Sequence, residues 1–313
     1  MQSSAVLPTL ASITTNLATG WSGANVAYII LLITLPLLLV AAYSIRILLK
    51  GRAHFDRVDR QGGSRFLGKG LMEMGYWAMQ PLGKLLVFFQ VTPNQISWTS
   101  LLFGFLAGTC LVFGHYGSAA AMMTVAALLD SLDGMVARMR GMTTQAGEVL
   151  DSALDRYVEF FFLGGLAIHY REILPLLILT LIALLGSFMV SYSSLYARSK
   201  QVKIPPLRWS MKRPERLVYL TVGAALSPVT IPWLEKIREF PVAIGHPMII
   251  ALGIVAVFAN SCAIEQLWYT MKATLAQEAE EKRRKLAQEK ELLGDDELLT
   301  HREAPNHGGP LGR

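Results

Sequence analysis

DSLDGMVARMRGMTTQAGEVLDSALD, running from Asp130 to Asp155, sets four aspartates within or at the ends of two successive apolar segments. An Asp near the middle of a membrane-spanning helix costs roughly 2.5 to 3.5 kcal/mol, so four without compensation would cost on the order of 10 kcal/mol. Something positive must therefore sit among them. At about 100° per residue, Asp130, Asp133, Gly134, Ala137 and Arg138 share one helical face. On the next segment Gly147, Asp151 and Asp155 follow an i, i+4, i+8 line. The short connection predicts antiparallel neighbouring helices whose acidic faces meet.

Four carboxylates that converge without His or Cys make a hard-oxygen site, suited to Mg²⁺ or Mn²⁺. Two such ions would neutralise the aspartates and hold a diphosphate for in-line phosphoryl displacement. Arg138 is on the same face and can pair with a phosphate through two N–H groups, while Gly134 and Gly147 leave room for a nucleotide to approach the backbone. A purely structural alternative, with these charges pairing among themselves, sets four acids against one nearby basic residue.

Outward from this stretch the chain is apolar. Of 313 residues 52% are hydrophobic and 17% charged, against roughly 25% charged in soluble domains, and mean hydropathy is +0.39. This excludes an ordinary soluble domain and a disordered chain, and 26 Gly, 14 Pro and 2 Cys exclude collagen-like and disulfide scaffolds. Cys110 and Cys262 read as reduced packing residues, and the six His are scattered without metal-ligand spacing. The net charge of +6 does not indicate nucleic acid, because the basic residues alternate with apolar blocks instead of forming one stripe.

Seven segments are long enough to span a bilayer: 24–49, 95–116, 118–138, 149–170, 173–197, 216–234 and 247–271. The first reads as a retained anchor, since nothing before it is positively charged and its apolar run exceeds a signal-peptide h-region. Arg46 to Lys69 and Arg198 to Arg216 carry seven basic residues each, which puts both on the cytoplasmic side and the N-terminus outside. The fold expected is an all-α integral protein of the cytoplasmic membrane. A six-helix transmembrane core follows one extra N-terminal transmembrane helix and an interfacial amphipathic helix, the latter within LMEMGYWAMQPLGKLLVFFQ. The divisions are an N-terminal tail and anchor (1–49), a basic juxtamembrane and interfacial segment (50–90), the core (91–273), and a charged helix with a disordered tail (274–313). In VTPNQ, Pro93 restricts Thr92 and Asn94 is expected as the N-cap. Glu281 and Lys285 are spaced for an i, i+4 pair, and Gly104-x3-Gly108 for close helix packing, within or between chains.

Written out, Asp130-x2-Asp133-Gly134-x2-Ala137-Arg138-x8-Gly147-x3-Asp151-x3-Asp155 resembles in full the motif of the CDP-alcohol phosphotransferases, membrane enzymes of phospholipid synthesis. The resemblance covers about Val91 to Met271, and its VTPN start is similar to the opening of the family's first core helix. It implies that Asp130, Asp133 and Asp151 hold divalent metal and that Asp155 completes the site as general base. It further implies that Gly134, Ala137 and Gly147 pack against the cytidine nucleotide, with Asp130 beside it and Arg138 on its diphosphate. It implies transfer from a CDP-linked donor to an alcohol with release of CMP, and a homodimer among membrane lipids.

MVSYSSLYARSK followed by KRPERL is similar to the acceptor region of phosphatidylinositol-phosphate synthases, with Arg198, Arg213 and Arg216 in the place of residues that line the acceptor-phosphate pocket. Tyr196 and Lys200 depart from that pattern. CDP-diacylglycerol is thus the expected donor and a small polar, phosphorylated alcohol the expected acceptor. These arginines also serve topology and lipid headgroups under the positive-inside rule. Alternatives are a CDP-choline or CDP-ethanolamine enzyme with diacylglycerol as acceptor, an intramembrane prenyltransferase, whose acidic motifs come as two separated clusters, and a divalent-cation transporter, which would want acids in further spans.

Overall fold

The helix expected to be capped by Asn94 starts two residues earlier. Thr92 is extended (φ −81°, ψ 149°), its Oγ1 accepts from Gln95 N at 3.4 Å, and Gln95 Oε1 accepts from Thr92 N at 2.9 Å. Pro93 then takes the first helical position, where its missing N–H is no loss, and the reciprocal Thr–Gln pair satisfies two amides where Asn94 would satisfy one. The computed structural model describes residues 23–51, 69–208, 210–234 and 246–302. Residues 1–22, 52–68, 209, 235–245 and 303–313 lie outside the described residues, together with what was expected of them.

The described residues form eight helices and no strand: α1 (Gly23–Lys50), α2 (Lys69–Phe88), α3 (Pro93–Val112), α4 (Tyr116–Met139), α5 (Gln145–His169), α6 (Leu174–Ser199), α7 (Arg213–Leu234) and α8 (Pro247–Arg302). By length and composition α3, α4, α6 and the first part of α8 can cross a membrane. The α5 helix carries Glu148, Asp151, Asp155, Arg156 and Glu159, and α7 opens on Arg213, Glu215 and Arg216, so both are less apolar. Leu102, Phe105, Ile178, Leu185, Val257 and Ile264 face outward, whereas buried positions hold small and polar residues such as Ala107, Ala119, Ala183, Ser187, Thr270 and Gln266. An apolar exterior around an interior where such residues sit among Leu111, Phe162 and Leu220 fits an integral membrane protein.

The motif helices α4 and α5 do not pack along their lengths as the short connection predicts; α3 packs against both and lies between them. The reason is the glycine pair of α3. Gly104 faces Val158, and Gly108 meets the Phe161 carbonyl and Gly165 so closely that a Cβ on either Gly108 or Gly165 would overlap backbone atoms. This spacing therefore serves packing within the chain, with backbones too near for any side chain. The α4 and α5 helices are free to converge at the end where residues 140–144 join them.

Elsewhere α6 and α8 are tied by Ser193 and Ser194, which donate to Gln266 Oε1 at 2.5 and 3.0 Å. Beneath α4, Met79, Leu86 and Val87 of α2 pack around Leu132 and Val136. The α1 helix is joined to α2 by Tyr43, whose hydroxyl donates to Glu73 at 3.3 Å and whose ring lies 5.6 Å from that of Trp77. Past its apolar part, α8 continues as an exposed helix with the expected Glu281–Lys285 pair at 2.7 Å and a Glu280–Arg284 pair at 2.6 Å. Cys110 and Cys262 are free thiols, and the buried one is Cys262.

Candidate active site

Three helix ends build the site. The α4 helix contributes Asp130 and Asp133 from its last turns. The first turns of α5 contribute Asp151 and Asp155, below the Thr144 cap, whose Oγ1 accepts from Gly147 N at 3.0 Å. A Cβ on Gly147 would approach that hydroxyl to 3.1 Å, so glycine leaves the cap undisturbed. The α7 helix contributes Arg213, its first residue, and the adjoining turn is closed by Glu215 Oε2, which accepts from Lys212 N at 2.8 Å. A glutamate at the third helical position reaching back to the preceding amide is the acidic half of a capping box.

Carboxylate oxygens of Asp130, Asp151 and Asp155 lie within 4.8 Å of one another, and all three residues are half-buried. Asp133 is not in this trio. It is buried, and its Oδ2 accepts from Ser97 Oγ at 2.6 Å. Gly134 and Ala137 are half-buried on the same helix, and Arg138 is exposed at its end. Arg213 Nη1 lies 2.6 Å from Asp155 and 3.1 Å from Asp130. A guanidinium thus occupies the electrostatic well that the three acids create, as the cost of gathering carboxylates requires. Hard oxygen donors this close and partly open to solvent fit a divalent cation, and Arg213 at their edge pairs with two of the three.

The three arginines expected to line an acceptor-phosphate pocket have separate fates. Arg213 borders the cluster, and its Nε is buried without a hydrogen-bond partner. Arg198 is exposed at the last turn of α6. Arg216 is enclosed: its Nε and Nη2 donate to the two oxygens of Glu159 at 2.7 and 3.0 Å, Nη1 donates to Met211 O at 3.0 Å, and the side chain is 0% exposed. It presents no open edge to a ligand.

Two residues escaped the sequence reading. Ser97 follows the TPN turn by three positions, and nothing in its local sequence distinguishes it from a packing serine. Glu159 did leave a signal, since it continues the line of Gly147, Asp151 and Asp155 by one more step of four into the apolar run FFFLGG.

The family model described as CDP-alcohol phosphatidyltransferase matches residues 90–270. The chain is 36% identical over 141 residues to the bifunctional IPC transferase and DIPP synthase of Aquifex aeolicus, across 43% of this chain and 33% of that one. It thus spans about a third of that bifunctional relative. It is 30% identical over 174 residues to the phosphatidylinositol phosphate synthase of Corynebacterium glutamicum, across 53% of this chain and 78% of the other. The structure of the Mycobacterium tuberculosis phosphatidylinositol phosphate synthase in complex with manganese and citrate superposes with a TM-score of 0.52 at 25% identity, covering 61% of this chain and 88% of that one.

Proposed function

From its membership of the CDP-alcohol phosphatidyltransferase family, we propose that the chain moves a phosphatidyl group from CDP-diacylglycerol to the hydroxyl of a small phosphorylated alcohol, releasing CMP. The observation that carries this reading is the convergence of Asp130, Asp151 and Asp155 oxygens within 4.8 Å, with Arg213 at their edge. Asp130, Asp133, Asp151 and Asp155 would hold Mg²⁺ or Mn²⁺, two ions in all. Such ions offset charge on the carboxylates and on the donor diphosphate as the phosphorus–oxygen bond to CMP breaks.

Asp155 takes the proton of the attacking hydroxyl, and the new bond forms from that oxygen to the phosphatidyl phosphorus. Asp130, Gly134, Ala137, Arg138 and Gly147 border the cytidine nucleotide. Arg213 and Arg198 receive the acceptor's phosphate. The unpartnered Nε of Arg213 supports this role, because a buried donor without an acceptor is costly unless a ligand supplies one. Arg216, committed to Glu159, acts behind them. The names of the relatives make inositol phosphate the first acceptor to try.

In the membrane we propose seven spans (α1 and α3 to α8), with the N-terminus outside and the site on the cytoplasmic side. The α2 helix lies at the interface, residues 91–273 form the catalytic core, and two copies form a homodimer. The deciding experiment supplies CDP-diacylglycerol and Mg²⁺ or Mn²⁺ to purified protein and follows CMP release with inositol phosphate, glycerol phosphate, serine or inositol. Metal-dependent release stimulated most by a phosphorylated acceptor is expected. No release with any of the four, from folded protein that binds CDP, would defeat the reading.

A further inference from the structure

The pair Glu159–Arg216 forms the inner of two charged rungs that join α5 to α7. The outer rung is Asp155–Arg213 at 2.6 Å, with side chains 16% and 21% exposed. The inner rung is bidentate at 2.7 and 3.0 Å, with side chains 2% and 0% exposed. The rungs are four residues apart on α5 and three apart on α7, one helical turn on each. Yet the two helices do not pack backbone to backbone along their lengths. The α7 helix packs instead on α4 and α8, and the two charged rungs are polar ties that join it to α5.

We propose that Glu159 and Arg216 are positioning residues that fix this register and so deliver Arg213 to the carboxylate cluster and the acceptor phosphate. An enclosed rung cannot exchange partners with water, metal or substrate, whereas the partly open outer rung can. Arg216 also donates to the Met211 carbonyl at 3.0 Å. It thereby holds the chain entering α7 to the same point, just before Lys212 and Arg213. A rigid inner contact beneath an exchangeable outer one lets Arg213 turn between the aspartates and an incoming phosphate while its Cα stays in place.

A merely structural pair behaves differently. Replacing both members of a buried ion pair by apolar residues of similar volume generally keeps or raises stability, while removing one member leaves a stranded charge. The test is the double variant Glu159→Leu with Arg216→Met, assayed for CMP release with CDP-diacylglycerol and inositol phosphate, beside its thermal midpoint. Expected are a midpoint near that of the unaltered protein, a donor KM within about twofold, and an acceptor KM raised on the order of tenfold, the loss of one charge-assisted contact. An unchanged acceptor KM, or equal rises for donor and acceptor, would overturn the positioning role.

If the double variant does not fold, Glu159→Asp decides. It keeps the charge but shortens the rung by one methylene, and the same split between acceptor and donor KM is expected, with no split overturning the role. The inference rests on the proposed reaction, and the two can fail separately. No CMP release by the unaltered protein defeats the reaction; the register is then read from inorganic phosphate binding by calorimetry, where about tenfold weaker binding in the variant is expected and equal binding refutes it.

Discussion

Asp133 and Asp155 belong to one motif but live in different surroundings: the first is held by a serine of α3, the second by an arginine of α7. Asp133→Asn is expected to abolish transfer at any Mg²⁺ or Mn²⁺ concentration, because an amide binds hard cations poorly. Ser97→Ala leaves the carboxylate and removes the hydroxyl that orients it, along with that hydroxyl's contact to the Pro93 carbonyl. Such partners typically contribute 10- to 100-fold in metal affinity, so activity should fall at low metal and return as metal is raised in a titration of CMP release. The arginines divide in the same way. Arg213→Ala should raise the acceptor KM on the order of tenfold or more, and Arg198→Ala less, since Arg198 is exposed and screened; equal effects on donor KM would assign both to topology. The aspartates were legible because charge in an apolar helix is expensive and needs a reason. The enclosure of Arg216, which the sequence puts beside Arg198 and Arg213 at the acceptor phosphate, was not legible, since RPER shows which residues are basic but not which is enclosed, and that depends on Glu159, 57 residues earlier.

At the scale of helices, capping chemistry and glycine spacing decide more than hydropathy. Gly108→Leu should part α3 from α5, as its side chain would enter the Phe161 carbonyl. Overpacking typically costs 1 to 3 kcal/mol, and a detergent melting curve should show a midpoint lowered by several degrees. Eight helices were legible as apolar or charged periodic runs, but the seating of α3 between α4 and α5 was not, because a short loop constrains two ends and leaves the rest free. At the far end His246 precedes α8 and its Nδ1 accepts from Met248 N at 3.3 Å. Burial, and then the neighbouring His169, lower its pKa from 6.5 to about 4. Between these values the unfolded chain binds the proton and the folded one does not, so stability is complete above about pH 6.5 and declines as pH falls toward 4, by at most about 3 kcal/mol. His246→Asn retains an acceptor for the amide, and melting between pH 7.5 and 4.5 should show a shallower dependence than in the unaltered protein.

For the whole molecule, the question is how much of it the reaction requires. The α1 helix packs on α7, α4 and α2, meeting α2 through Tyr43 and through Arg46, whose guanidinium lies 5.8 Å over the Trp77 ring, and its described residues place no acid near the aspartates. A shortened protein beginning near Arg65 should keep metal-dependent CMP release, with a moderate rise in donor KM from lost basic residues, each worth about 1 kcal/mol at an anionic surface. A shortened protein that folds and binds CDP but transfers nothing would show that the catalytic unit extends into α1. The close meeting of Gly108 with Gly165 has a mechanical meaning of its own. Ten residues separate Gly165 from Asp155, an arm of about 15 Å at the helical rise. With the glycine contact as fulcrum, a tilt of only ~4° sweeps Asp155 through ~1 Å along that arm. Half the difference between the oxygen shells of a small and a large divalent ion is less than that, so the second contact, Gly104 on Val158 three residues from Asp155, matters: it resists the tilt and braces the gauge of the carboxylate jaws from α3.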